Sequence, residues 1–458
     1  MAEHKNILKV RDDHEPFYFE FDQNQKYTFI QKPTWFSGEE ISLNDLRSRI
    51  EPWLTSLFQS EHLSLLVGSG LSTSIQYVAS DTPPNNGMGK PELPEDCPNA
   101  DKIHSYAAKS AKASGRGEEA NIEDYLRVIN DLLRGLDILG ETNAHKKLKE
   151  IYDNKLSAFT SAISAGENCI VSTDEERRTK AFNALTMFLM SFASRTGTRD
   201  RLNIFTTNYD RVIEVGAELA GLHLLDRFTG NLSPIFRSTR LDIDMHYNPP
   251  GIRGEPRYLE GVARFTKLHG SIDWVESGKD IRRVGVPFGA ADISPYLNSP
   301  GLLDLDHTKI MIYPNSSKDR ETAEYPYVEL FRDFAAALCR PNSTLVTYGY
   351  SFGDEHINRI IRDMLTIPST HLVIISYDDA QGRIMKNYHE IGRASQISLL
   401  IGSGLAGIEI LTDNFLPKPS IDRTTIRMNE LLKQRYNTNK VENTLDRSGS
   451  QEGGAGEE

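Results

Sequence analysis

The chain has 458 residues, of which 38% are hydrophobic and 25% charged, and a formal net charge of -12. That is enough for one large α/β domain with an insertion or for two or three average domains, and the composition is that of an ordinary globular protein. The acidic balance lacks the basic footprint of a nucleic-acid binder. No apolar run approaches the roughly 20 residues that cross a bilayer, and Cys97, Cys169 and Cys339 stand apart, without the paired spacing of a disulfide framework or a zinc ribbon.

The first residues, MAEHKNILKVRDDHEP, are charged and lack the apolar stretch of a signal peptide, which predicts a cytoplasmic protein. Residues 17–30, FYFEFDQNQKYTFI, alternate aromatics about a polar DQNQ. This predicts a β-hairpin with one aromatic face, packed on its own domain as part of an extension spanning 1–42. Leu43, Leu46, Ile50, Trp53, Leu54 and Leu57 recur at helical spacing and predict a helix over 43–59. The stretch LSLLVGSGLS, residues 63–72, then runs from a buried strand into Gly68, Ser69, Gly70 and Ser72. Glycine permits positive φ and close approach of an anion to peptide N–H groups, so the turn is a candidate phosphate cradle as well as a simple tight turn.

Residues 81–99, rich in Pro, Gly and Asn, predict an exposed loop. The GMGK within it is no Walker A motif, because Pro84 and Pro91 occupy positions that require Gly and Ser or Thr. From Asn121, a predicted N-cap with Asp124 in the first turn, helical patterns run to about residue 194. A stretch of about 120 residues between two strands far exceeds a plain crossover, and predicts a helical insertion over 76–200 covering the glycine turn.

Short apolar runs resume at 202–206, 264–268, 309–313, 344–348 and 371–375, with helices expected at 208–220, 327–339 and 354–366. Such runs suit parallel strands buried on both faces. The fold class expected is therefore α/β, a doubly wound, mainly parallel Rossmann-like sheet. Its parts are a start over 43–75, the insertion and a remainder over 201–420. A C-terminal helix and a disordered tail are expected over 421–458, where few residues could enter a core. Residues 399–405, LLIGSGL, nearly repeat LLVGSGL at 65–71, but run into the apolar GIEIL and are expected to be a strand-turn-strand connection.

In an open parallel sheet, ligands sit beyond the C-terminal ends of the strands. The residues there are polar: Thr207, Asn208, Tyr209 and Asp210 after one strand, His269, Gly270 and Ser271 after the next, Gly349 to Asp354 after a third and Ser376 to Asp379 after a fourth. Each has a structural alternative, with Asn208 and Asp354 as N-caps, Asp210 as a first-turn acid and His269 as a satisfied core histidine.

The order of glycine turn with Ser72, Thr206-x-Asn208-x-Asp210, His269-Gly270 and the Gly349-Tyr350-Ser351 turn resembles the sirtuin family of NAD-consuming enzymes. It is most similar to the prokaryotic sirtuin-like NADases of antiphage defence, over residues 62 to about 415. The resemblance implies that Gly68, Ser69, Gly70 and Ser72 hold the pyrophosphate and nearby ribose. Asn208, orienting a water, and Asp210 would surround the nicotinamide and its ribose, with Thr206 and Thr207 beside them, and His269 would be general base on the ribose hydroxyls. Gly349 and Ser351 would support the adenosine side, and Asp354 and Ser376 would also bind the cofactor, Ser376 standing where deacetylases usually have Asn. The four-cysteine zinc module that deacetylases carry after His-Gly is replaced by HGSIDWVESG. The implied activity is NAD+ glycohydrolysis without a metal, in a homo-oligomer paired with a HerA-type hexameric ATPase. An NAD-dependent protein deacylase and a nucleotide-sensing module without turnover are the alternatives.

Overall fold

The computed structural model describes residues 5–21, 27–30, 33–38, 40–113, 119–195, 199–238, 243–247, 257–298, 302, 310–312 and 325–418. The chain divides into a unit spanning Met1–Leu416 and a second spanning Pro417–Glu458. The helix and tail expected over 421–458 lie outside the described residues.

The chain opens with β1 (Lys5–Lys9), β2 (Phe17–Phe21), β3 (Tyr27–Phe29) and β4 (Glu40–Ile41). A capping box between Ser42 and Asp45 starts α1 (Leu43–Phe58), which leads to β5 (His62–Val67) and α2 (Ser69–Ala79). Four helices follow, α3 (Ala100–Ala113), α4 (Ile122–Leu139), α5 (Thr142–Ser172) and α6 (Glu175–Ala193), with Asn121 and Asp124 forming the capping box of α4. Next come β6 (Leu202–Thr206), α7 (Val212–Leu219), β7 (His223–Leu225), β8 (Phe228–Thr229), β9 (Ile235–Phe236), β10 (His246–Tyr247) and β11 (Arg257–Tyr258). Then β12 (Val262–Lys267), β13 (Gly270–Ser277), β14 (Asp280–Arg283), α8 (Ser294–Leu297) and β15 (Ile310–Ile312). The last stretch holds α9 (Tyr327–Leu338), β16 (Ser343–Tyr348), α10 (Glu355–Met364), β17 (His371–Ser376), α11 (Arg383–Ile391) and β18 (Ile397–Ile401). Short helices α12 (Ser403–Ala406) and α13 (Ile408–Ile410) and a π-helical turn, Leu411–Phe415, close it.

The main sheet runs β4-β3-β2-β1-β18-β17-β16-β5-β6-β12-β7. From β18 to β7 all neighbours are parallel, whereas β1 to β4 add antiparallel at the β18 edge. The chain moves outward from β5 through β6 and β12, then returns to lay β16 on the other side of β5. Strand order therefore reverses between β5 and β16. Side chains of β5 alternate between two cores: Leu63, Leu65 and Val67 pack with α1, α2, α6 and α7, and Leu66 packs with α9, α10 and α11. That is the doubly wound, mainly parallel arrangement expected.

Other expectations change. The run Ile310–Ile312 is no parallel strand; it pairs antiparallel with β13 in a second sheet, β15-β13-β14-β9-β8. An apolar run of that length specifies a strand but not its partner. The hairpin exists, and it joins the main sheet edge, with Phe19 and Tyr27 fully buried. Although α6 lies in the expected insertion, Leu185, Phe188, Leu189 and Phe192 belong to the central core; α3, α4 and the first half of α5 have a core of their own. The LLIGSGL repeat is strand-turn-helix, not strand-turn-strand, because Leu405, Ile408, Leu411 and Phe415 turn into the central core. Its turn is occupied by Asn6 of β1, whose Oδ1 accepts from Gly404 N at 2.9 Å. Gly402 takes φ +118°, and a Cβ there would meet Asn6 Oδ1 at 2.2 Å.

Candidate active site

The reversal of strand order leaves a crevice beyond the C-terminal ends of β5 and β16, and two glycine turns meet there. Gly68 precedes α2 with φ -101°, so this turn needs no positive φ. Its glycines are required by proximity: a Cβ on Gly68 would fall 2.3 Å from Gly349 O, and one on Gly70 2.5 Å from Gly349 Cα. Gly349 itself takes φ +61°. Gly68 N–H donates to Tyr348 O and Gly70 N–H to Gly349 O, at 3.0 and 3.1 Å, so these two amides fasten the turns together and are not directed at an anion. What the turn offers a ligand is the start of α2 with the hydroxyls of Ser69, Ser72 and Thr73.

Beyond β6 the chain makes one bend before α7. Asn208 does not cap that helix, which begins at Val212. Its carboxamide NH2 donates to Gly68 O and to Ser72 Oγ, both at 3.0 Å. Both donors are spent, which fixes the amide and leaves Oδ1 as its acceptor. Ser72 Oγ donates to Asp210 Oδ2 at 2.7 Å, and Asp210 Oδ1 accepts from Val212 N at 3.1 Å. Thr206 is 1% exposed and lies beneath the site: its hydroxyl donates to Val67 O and accepts from Asn208 N, each at 3.0 Å. It positions the bend and does not line the cavity, contrary to the ligand contact expected. Beneath the same bend Lys267 Nζ donates to Asp210 O and, at 2.9 Å, to Glu214 Oε1. Burial pushes the Glu214 carboxyl up, against the opposing pull of Lys267.

His269 sits between β12 and β13 and is 7% exposed. Its Nε2 is 2.9 Å from Asp354 Oδ2, while Asp354 Oδ1 accepts from His356 N at 3.0 Å as the N-cap of α10. One carboxylate thus both caps a helix and orients an imidazole. Donation of Nε2–H to Asp354 selects the tautomer that leaves Nδ1 as an acceptor. Tyr350, with its hydroxyl on Asp354 O and Asn358 Oδ1, backs this pair.

These groups line a cavity of about 340 Å³, bordered by Gly68, Ser69, Ser72, Thr207, Asn208, Asp210, His269, Gly349, Ser351 and Asp354. The helical insertion supplies the opposite wall with Met88, Asn121, Glu123, Phe159 and Ile163. Tyr209 spans the two, its hydroxyl donating to Glu123 Oε1 at 2.7 Å. Burial pushes that phenol well above its ordinary range, and the Glu123 carboxylate adds to the effect. Adjoining is a larger cleft of about 1440 Å³ that includes Gly70 and Ser376. Ser69, Thr73, Gly349, Ser351 and Arg383 border both.

The candidate residues therefore converge on one place, apart from Thr206 below it. Sequence reasoning missed Arg383, whose Nε donates to Ser351 O at 3.2 Å. A basic residue opening the helix after Ser376 was the available signal. It also missed Tyr209 and Glu123 as a pair, for which no local signal exists. Among the described residues no group of three or more His, Cys, Asp or Glu is arranged to hold a metal ion.

Residues 202–393 match the family model described as a SIR2-like domain. The match supports a sirtuin-like family and NAD-related chemistry in general. No curated protein matches the chain.

Proposed function

We propose that this protein is an NAD+ glycohydrolase, which hydrolyses the bond between nicotinamide and ribose to release nicotinamide, ADP-ribose and a proton. One observation carries the reading: a small cavity bearing Asn208, Asp210 and His269 adjoins a larger cleft across Ser69, Gly349, Ser351 and Arg383. That division suits a dinucleotide, with its nicotinamide riboside in the smaller cavity, its pyrophosphate at the shared border and its adenosine in the cleft. The hydroxyls of Ser69 and Ser351, the start of α2 and the Arg383 guanidinium suit a pyrophosphate.

Loss of nicotinamide passes through an oxocarbenium-like state, as in glycoside hydrolysis. The Asp210 carboxylate, beside Asn208 in the cavity lining, offsets that developing charge. Asn208 Oδ1 accepts from the attacking water. His269 Nδ1 takes a proton from a ribose hydroxyl, which takes one in turn from the attacking water as the water oxygen bonds to the anomeric carbon; the ribose ends neutral, and Asp354 supports the imidazolium until it returns the proton to solvent. His269 is followed at once by β13, which begins at Gly270, and the helical insertion lines one side of the cavity. Both favour hydrolysis over delivery of an acyl-lysine peptide.

An uncontrolled NADase would deplete its own cell, so we place this one in cytoplasmic antiphage defence, as a homo-oligomer gated by a HerA-type ATPase. The test is nicotinamide release by purified protein. Release from NAD+ alone supports the reading, a requirement for acylated peptide indicates a deacylase, and binding without release indicates a nucleotide sensor.

A further inference from the structure

Helix α5 contributes more than a wall. One turn beyond Phe159, Ala162 and Ile163, which line the cavity, Glu167 is fully buried and faces the bend that carries Asn208 and Asp210. Its Oε1 accepts from the backbone N–H of Arg211 at 2.7 Å and from Arg211 Nε at 3.2 Å, and its Oε2 from Arg211 Nη2. The guanidinium continues to Val286 O and, at 3.1 Å, to Pro287 O. Gly289 N closes the set at 3.5 Å from Glu167 Oε2. Three segments distant in sequence meet in one ion pair: α5 of the insertion, the residue directly after Asp210, and the 286–289 loop beyond β14.

A buried ion pair is a weak source of net stability, since desolvation offsets much of its attraction; what it does supply is fixed geometry. Here the fixed atom is the peptide nitrogen next to Asp210. From the other side Lys267 holds Asp210 O. The bend is thus gripped at both ends of one peptide unit, and only the Glu167 grip originates in the insertion.

We propose that Glu167 and Arg211 form a positioning pair that sets Asp210 and Asn208 in catalytic register and makes turnover depend on the seating of α5. This rests on the hydrolase reading above. Neither residue lines the cavity, so each acts through Asp210 and not on the substrate. Misplacing reacting groups by about 1 Å costs on the order of 10²-fold in rate.

Two variants test it, since Glu167→Gln risks failing to fold with an uncompensated guanidinium. Glu167→Asp keeps the charge on an arm one methylene shorter, and Arg211→Lys keeps the charge without the fork that reaches Glu167 and the loop together. Both are expected to lower kcat for nicotinamide release by about 10²-fold, with KM for NAD+ within about threefold because the ligand-lining residues are untouched. Amide hydrogen exchange over residues 207–214 should rise in both variants. Unchanged kcat with unchanged exchange would overturn the proposal, as would a loss confined to melting temperature. If the wild-type protein released no nicotinamide, the hydrolase reading would fail instead, and exchange in the variants would still decide whether the pair holds the bend.

Discussion

Two carboxylate oxygens of Asp354 do different work, and an amide can replace only one of them. Asn ranks with Asp as an N-cap, so Asp354→Asn should keep the bond from His356 N and leave α10 stable to within about 1 kcal/mol. It then has no second acceptor for His269 Nε2, and turnover is expected to fall about 10²-fold or more, as for loss of an oriented base. His269→Gln should lose a similar factor while retaining NAD+ binding within about tenfold, and the double variant should be little worse than either alone. Additive losses would show that the two residues act separately. Asn208→Ala removes an amide that caps no helix but ties Gly68 O and Ser72 Oγ. The expected cost is about 10²- to 10³-fold in turnover together with about 1–3 kcal/mol of stability for the stranded partners. Normal turnover with a lowered melting temperature would remove Asn208 from the chemistry.

At the level of elements, the apposed glycine turns set the distance between the two halves of the sheet. Gly349→Ala adds a Cβ 2.5 Å from Gly70 Cα at φ +61°, and neither backbone can move without disturbing β5 or β16. A loss well beyond the ~1 kcal/mol ordinary for glycine replacement is expected, read by denaturant midpoint, with NAD+ binding weakened in parallel. The parallel strands and the polar residues at their ends were legible because continuous apolar runs have few alternatives. The partner of Ile310–Ile312 and the late start of α7 were not: Asn208 reads locally as a cap, and only the remote Gly68 and Ser72 claim its side chain. The GIEIL run, residues 407–411, reads as a strand after the turn, and burial of Leu405, Ile408 and Leu411 in the central core overrides that preference.

Across the whole molecule, the end of the sheet opposite the site carries its own titration. Burial, with Lys9 nearby, lowers His371 from 6.5 to about 4, and its Nε2 lies 2.9 Å from Ser398 Oγ. The folded chain keeps this imidazole neutral while the unfolded chain protonates it, so stability should fall as pH drops from about 6.5 toward about 4. Melting curves across that window should decline more steeply for the wild type than for His371→Gln; parallel declines would contradict the assignment. The N-terminal strand at the neighbouring edge has a different consequence. The strand it pairs with, Ile397–Ile401, is a buried ISLLI run with an open row of peptide groups wherever it lacks a partner. Such an edge is a template for pairing with other chains. Deleting residues 1–42 should therefore make the chain self-associate through that strand, detected by light scattering and thioflavin binding, and a truncated chain that stays as dispersed as the full-length one would contradict this role of the hairpin.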